Sequence, residues 1–156
     1  MYDSLRVSDL LKKKGQGFLG IGPKAMAYDA LELMAEKNVG ALLVIDEGKL
    51  AGVFSERDYA RKVILKGKSS KSTTVGDLMS SPPICAKSDM TMNECMVLMT
   101  AHHVRHLPVL EENNVVGVIS IGDVVAAIIK NQEATINLLE NYISGEEYVL
   151  NASARE

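Results

Sequence analysis

The chain repeats itself. Displaced so that Gly52 falls on Gly117, a shift of 65 residues, its halves align without a gap from about Ala25 to Ile64. Met34 meets Met99, Val39 meets Val104, Val44 meets Val109 and Glu47 meets Glu112. Gly52, Val53, Ser55, Asp58 and Ile64 also fall on identical residues. Ahead of this block "VSDLL" (Val7 to Leu11) echoes "VGDLM" (Val75 to Met79) at a shift of 68, so the first lead-in, "KKKGQGFLGIG", is three residues longer. Such repetition constrains the fold more than composition does, because whatever one copy forms the other must form too. At about sixty residues, neither copy buries a large core alone. The expectation is one body in which the sheets of the two copies pack together about an approximate two-fold axis.

Each copy carries the same local pattern. Ala27, Ala30, Leu31 and Met34 lie at i, i+3, i+4 and i+7, one face of a helix, and Met92, Cys95, Met96 and Met99 repeat it. Recurrence of the methionines inside a repeated unit favours core packing over a partner-binding groove. Cys95, on that stripe, reads as a buried small hydrophobe. "ALLVI" and "LAGVFS" flank the turn "DEGK", and "HLPVL" and "VVGVIS" flank "EENN", so each copy holds a hairpin. A second helix follows in "ERDYARKVILKG" and "IGDVVAAIIKNQ". With a short first strand near Leu19–Ile21 and Ile84–Ala86, the unit is β-α-β-β-α and the chain is of α/β (α+β) class. The expected organisation is repeat 1 over 5–66, a Ser-, Lys- and Thr-rich linker over 67–74, repeat 2 over 75–132, and a C-terminal helix and tail over 133–156. In that tail Ile136, Leu139, Tyr142 and Ile143 keep helical spacing, suited to packing on the body or on a second subunit.

The repeated "GVFSERD" and "GVISIGD" lie where a strand gives way to a helix. Two readings compete. Ser-x-x-Asp there is a capping box, with the acid also complementing the helix dipole. Alternatively, the Gly admits a ligand to the backbone, the helix start offers N–H groups to an anion, the Ser reaches a phosphate and the Asp takes ribose hydroxyls. One copy alone is explained by capping at least as well as by binding.

Two β-α-β-β-α copies, each with G-h-x-S-x-x-D at this place, resemble a tandem CBS-domain pair, or Bateman module, over roughly residues 5–130. The resemblance implies an adenosyl ligand (AMP, ADP, ATP, NAD or S-adenosylmethionine) in clefts between the copies. It carries ribose binding to Asp58 and Asp123 and phosphate contacts to Ser55 and Ser120. It places the adenine near Ile21, Ala86 and Leu107, in the neighbourhoods Ile21–Gly22, Ile84–Ala86, Ala41–Leu42 and His106–Leu107. Where the copies differ, Arg57 faces Gly122, and Arg105 and His106 replace Gly40 and Ala41. The resemblance makes Arg105 and His106 candidate phosphate ligands, Arg57 is a further candidate ligand-binding residue, and the two clefts are expected to be unequal. The resemblance also implies a homodimer and a regulatory role.

Other functions have weaker support. A net charge of −3 without a basic run argues against nucleic-acid binding. The N-terminus lacks a signal-peptide core and runs such as Val124 to Ile129 are too short to span a bilayer, so no membrane role and a cytoplasmic location are expected. Cys85 and Cys95 form neither a disulfide framework nor a CxxC pair. His102, His103 and His106 make a poor metal signal, because the alignment puts the first two at a helix end and the third in a strand. No catalytic or metal site is assigned. No attached catalytic domain is expected, so the module is expected to act in trans on an unknown protein partner or to serve as a ligand-binding protein in its own right. The alternatives are a nucleotide-processing enzyme of low activity and a scaffold with unoccupied clefts.

Overall fold

The structure is a computed structural model and describes residues 5–143. Its first half contains α1 (Val7–Lys14), β1 (Gly20–Ile21), α2 (Ala27–Lys37), β2 (Ala41–Asp46), β3 (Lys49–Ser55) and α3 (Glu56–Tyr59), which runs on as wider π-type turns through Ala60–Ile64. The second half contains α4 (Val75–Leu78), β4 (Ala86–Lys87), α5 (Met92–His102), β5 (His106–Glu111), β6 (Asn114–Ser120) and α6 (Ile121–Ile143). The β-α-β-β-α order is therefore present twice, with a short lead-in helix before each copy.

Each half forms a three-stranded sheet, β1-β2-β3 and β4-β5-β6, with the first strand parallel to the second and the hairpin antiparallel. Both hairpins keep one register: Ala41 faces Ser55 and His106 faces Ser120, with a bulge after Val44 and after Val109. Their turns place two successive residues at positive φ, Glu47 with Gly48 and Glu112 with Asn113, as the twist of a two-residue hairpin requires. Helices α2 and α5 end on left-handed residues, Asn38 and His103. The methionine stripe is core: Met92, Cys95 and Met99 are buried with Ala86, Leu107, Val109 and Ile119. Burial and the nearby Glu94 push the Cys95 thiol up to about 11.

The halves pack about an approximate two-fold axis as expected, and Leu43, on the sheet face turned away from its own helices, is buried while belonging to neither core. Two separate cores exist, and each is completed by the lead-in helix of the other copy. Val7 and Leu11 of α1 lie in the core of the second half, while Val75 and Leu78 of α4 lie in that of the first. Symmetric backbone bonds fix the exchange: Val7 N–H donates to Met90 O (2.9 Å) and Val75 N–H to Ala25 O (2.8 Å). Met92 N–H donates to Leu5 O (3.1 Å) and Ala27 N–H to Thr73 O (2.8 Å).

The motif glycines make this exchange possible. A Cβ on Gly52 would stand 2.7 Å from Ser80 O and 2.8 Å from Met79 Sδ, just past α4. On Gly117 it would stand 2.9 Å from Leu11 Cδ2 of α1. The glycines thus admit a neighbouring helix, where ligand approach was expected.

The tail also departs from expectation. The second-motif helix and the tail helix are one 23-residue helix, α6. No Gly or Pro interrupts residues 123–143, whereas the first copy stops at Gly67, which takes a positive φ. Ile136, Leu139, Tyr142 and Ile143 are exposed on α6 rather than packed on the body. The rest of the expected tail, 144–156, and the first four residues lie outside the described residues. Among the described residues no helix is long and apolar enough to cross a membrane.

Candidate functional site

Strands β3 and β6 end on a serine whose extended backbone turns the chain into a helix. In the first copy Ser55 N–H donates to Asp58 Oδ2 (3.0 Å), Asp58 N–H donates to Ser55 Oγ (3.1 Å), and Ser55 Oγ–H donates to Asp58 Oδ2 (3.0 Å). In the second, Ser120 N–H donates to Asp123 Oδ2 (2.8 Å) and Asp123 N–H to Ser120 Oγ (3.1 Å). Both motifs are capping boxes. The first helical amides are also engaged, Glu56 N–H with Gly40 O (3.1 Å) and Ile121 N–H with Arg105 O (2.8 Å). Little N–H capacity is left at the helix starts, so charge for an anion must come from side chains.

The capping boxes also stand at the walls of two cavities related by the repeat. The first, about 200 Å³, is lined by Val53, Ser55, Glu56, Arg57 and Asp58 of copy one and by Pro82, Pro83, Ile84, His103, Val104, Arg105 and His106 of copy two, with Gly40 and Ser80. The second, about 590 Å³, is lined by Val118, Ser120 and Asp123 of copy two and by Phe18, Leu19, Asn38, Val39, Gly40 and Ala41 of copy one, with Lys14, Gln16, Gly17 and His106. Each cavity therefore joins the Ser and Asp of one copy to an apolar wall and a strand start of the other.

The polar groups differ between the two. In the first cleft Asp58 Oδ1 accepts from Ser80 Oγ–H (3.0 Å) and pairs with Lys62 Nζ (3.3 Å). Arg57 crosses to the other copy, its Nη1 donating to His103 O (2.9 Å). In the second cleft Lys14 Nζ donates to Asp123 Oδ2 (2.6 Å) and to Val118 O (2.9 Å). Burial acts to raise the Asp123 pKa, but the hydrogen bonds from Lys14 and from the Ser120 backbone, with the Lys14 charge, outweigh it and leave it lowered. His106 lies against Gly40, 3.4 Å from where a Cβ would be, and lines both cavities. Burial, then the Lys14 charge, lowers its pKa; Asp123 and Glu56 oppose this and Arg105 adds to it.

The structure brings Ser55, Arg57, Asp58, Arg105 and His106 to one cavity and Ser120, Asp123 and His106 to the other. Ile21, Ala86 and Leu107 line neither. Ala86 and Leu107 are fully buried in the second core, and Ile21 packs against the first. Side chains alternate along a strand, so with His106 toward the cleft Leu107 must turn inward. The apolar lining comes from just before the short strands, at Leu19 and Ile84. Sequence reasoning missed Lys14, Ser80 and Phe18: the first two reach their clefts only through the exchanged lead-ins, which no local pattern reports. Among the described residues no cluster of three or more His, Cys, Asp and Glu side chains could hold a metal ion.

Comparison with known proteins gives a consistent picture. The family model described as "CBS domain" matches residues 7–64 and 75–130. A CBS domain-containing protein of Arabidopsis thaliana, CBSX3, named as mitochondrial, is 39% identical over 153 residues, 92% of this chain and 74% of that protein. The structure of a putative signal-transduction protein with CBS domains from Burkholderia ambifaria MC40-6 is 44% identical, with a TM-score of 0.78 over 81% of this chain and 96% of that one. The CBS domain pair of protein MJ0100, solved with 5′-methylthioadenosine and S-adenosyl-L-methionine, shares the fold at 22% identity, with a TM-score of 0.70 over 81% of this chain and 97% of that one.

Proposed function

The chain belongs to the CBS-domain family as a tandem pair, and from that premise we propose that it is a regulatory sensor of adenine nucleotides acting on a protein partner. One observation carries this reading: the two related cavities each set a Ser and an Asp against an apolar wall from the other copy. An apolar cleft with a few convergent polar groups suits a flat base and a hydroxylated sugar. Asp58 and Asp123 would take ribose hydroxyls. Ser55, Ser120, Arg57, Arg105 and His106 would serve phosphates, and the adenine would lie against Ile84 in one cleft and Phe18 or Leu19 in the other. AMP, ADP, ATP or NAD is the ligand class, and the adenosyl ligands of the MJ0100 pair support it. A site straddling the copies can report occupancy by changing how they sit on one another.

The role is regulatory rather than catalytic in this reading, and incubation with ATP or NAD should yield no product. Assembly as a homodimer is part of it, because α6 exposes Ile136, Leu139, Tyr142 and Ile143. Light scattering at micromolar concentration should find twice the 16.9 kDa chain mass. The free thiols Cys85 and Cys95 fit a reducing compartment, with the cytoplasm proposed. Because the Arabidopsis relative is named mitochondrial, a fluorescent fusion is the check.

The deciding experiment is a thermal shift with a nucleotide panel, alongside mass spectrometry of ligand released from freshly purified protein. A ligand at a hundred times its Kd stabilises the fold by about 2.7 kcal/mol, raising Tm by about 5–10 °C for a chain of this size. Asp58→Asn or Asp123→Asn should weaken binding by about 1.5–3 kcal/mol, the scale of a hydrogen bond to a charged group. If no nucleotide raises Tm and none is released, the sensor reading fails. If both Asn variants lose stability and keep full affinity, the aspartates are only caps.

A further inference from the structure

The two clefts treat their aspartates differently. In the second, Lys14 Nζ holds both Asp123 Oδ2 (2.6 Å) and Val118 O (2.9 Å). By the repeat these acceptors correspond to Asp58 and Val53 O. In the first cleft both are taken by Ser80, whose hydroxyl donates to Asp58 Oδ1 (3.0 Å) and whose amide donates to Val53 O (2.8 Å). A short neutral side chain and a long cationic one thus occupy equivalent places. Ser80 is pinned, since its carbonyl also accepts from Val53 N–H (3.1 Å). Lys14 is held only through its ammonium, on a flexible stem at the end of α1, with its side chain 41% exposed.

The counter-ions differ as well. Asp58 has Lys62 one turn along its own helix, but the matching residue of the second copy is Ala127. Among the described residues Lys14 is the one cation within salt-bridge distance of Asp123. It also lines the cavity, which Lys62 does not. A ribose that takes both carboxylate oxygens of Asp123 must compete with the Lys14 ammonium for Oδ2, which already accepts from Ser120 N–H.

We propose that Lys14 is a displaceable counter-ion that makes the second cleft selective for ribonucleosides carrying an anionic 5′ group. The proposal rests on the sensor reading above and adds a specificity residue to it. When the two ribose hydroxyls take both oxygens of Asp123, the ammonium leaves Oδ2. A neutral ligand leaves the displaced ammonium no new partner but water, because the cleft's other ionisable neighbour, His106, offers no anion. A 5′-phosphate supplies a new partner within the sweep of the lysine stem, so one ion pair replaces another. Anionic ligands exchange pairs and neutral ones lose a pair. The first cleft lacks this filter, because Lys62 does not line it and its ammonium is held outside by Leu78 O (2.9 Å).

The test is an amide NMR titration of the full chain with AMP and with 5′-methylthioadenosine, which is neutral. Amides of Val118 to Gly122 report the second cleft and those of Val53 to Arg57 the first. Wild type should prefer AMP in the second cleft. Lys14→Met should cut the AMP-to-methylthioadenosine affinity ratio there by roughly two- to fivefold, the scale of a partly exposed ion pair, with methylthioadenosine binding more tightly than before. The first-cleft ratio should stay put. Lys14→Arg, which keeps the charge, should keep the preference and guards against mere loosening of α1. An unchanged second-cleft ratio in Lys14→Met, or equal falls in both clefts, would overturn the proposal while leaving the sensor reading intact. If neither ligand moves the amides of either cleft in any variant, the sensor reading itself falls and takes this proposal with it.

Discussion

Replacing Gly52 and, separately, Gly117 with alanine tests what the repeated glycine is for. Neither residue has positive φ, so alanine fits the backbone and by itself would add about 0.4–1 kcal/mol by restricting the unfolded chain. What differs is the neighbour. At Gly52 the new methyl would meet Ser80 O at 2.7 Å, a backbone atom tied to Val53 N–H at 3.1 Å. Relief requires α4 and Ser80 to withdraw, loosening both Val53–Ser80 backbone bonds at about 0.5–1.5 kcal/mol each. Strain left in the packed contact with Met79 adds about 1–3 kcal/mol. The net loss should be about 1–5.5 kcal/mol. At Gly117 the methyl would meet Leu11 Cδ2 at 2.9 Å. That is the tip of a side chain and can rotate, although Leu11 is buried, so the net loss should be about 0–1.5 kcal/mol by the same reasoning. Urea unfolding without added nucleotide reads both, as a fall in midpoint at constant slope. Gly52→Ala within about 0.5 kcal/mol of wild type, the range of an inconsequential surface change, would refute the docking role. So would a larger loss for Gly117→Ala. A glycine kept for ligand approach would leave stability intact and remove binding alone.

Acid should destabilise the protein in two separate windows. His106 has its folded pKa depressed by burial and the Lys14 charge, against Asp123 and Glu56 and with Arg105. The unfolded chain therefore binds the extra proton first, and stability falls as pH drops below the ordinary histidine value of about 6.5. Asp123 is lowered despite its burial, so its contribution is present above the ordinary aspartate value and is lost as pH falls below it through the folded-state pKa. Thermal melts against pH should show the upper window vanish in His106→Gln, and an unaltered profile would remove His106 from that role. Arg105 lines the first cavity, so Arg105→Ala should weaken AMP there by about tenfold more than adenosine, the scale of a charged hydrogen bond. Calorimetry showing equal losses for both ligands would exclude a phosphate contact.

The elements were legible because each pattern occurs twice. Met34 and Met99, Val44 and Val109, Ser55 and Ser120 fix the same helix face, the same strand and the same helix start, and the structure keeps even the bulge after Val44 and Val109. What was not legible is which partner a repeated element takes. Val7 and Val75 carry equal apolar patterns whether they pack on their own copy or on the other, since periodicity reports a buried face and not what buries it. Lys14 and Ser80 escaped notice for that reason, their reach to Asp123 and Asp58 being set by the exchange. Leu107 stands one residue from His106 and so on the opposite face of β5, and Ala86 lies in β4, whose two residues are too few for alternation to show which face is buried. The Ser-x-x-Asp motif stayed ambiguous in sequence because its capping geometry and its place on a cleft wall coexist in the structure.

The crossed lead-in helices give one chain the geometry of a domain-swapped pair. Severed between Ile64 and Val75, the first fragment would keep α1, which belongs to the other core, and would lose the Val75 and Leu78 that fill its own. The second would be left in the mirror predicament. Fold integrity is thus reciprocal, each half being the other's missing part, and the linker holds the two at high effective concentration. It also imposes an order on synthesis: a nascent chain cannot complete its first core until residue 78 has emerged, and α1 must wait for a surface that is made later still. Whatever shifts one half against the other therefore moves a helix embedded in the opposite core.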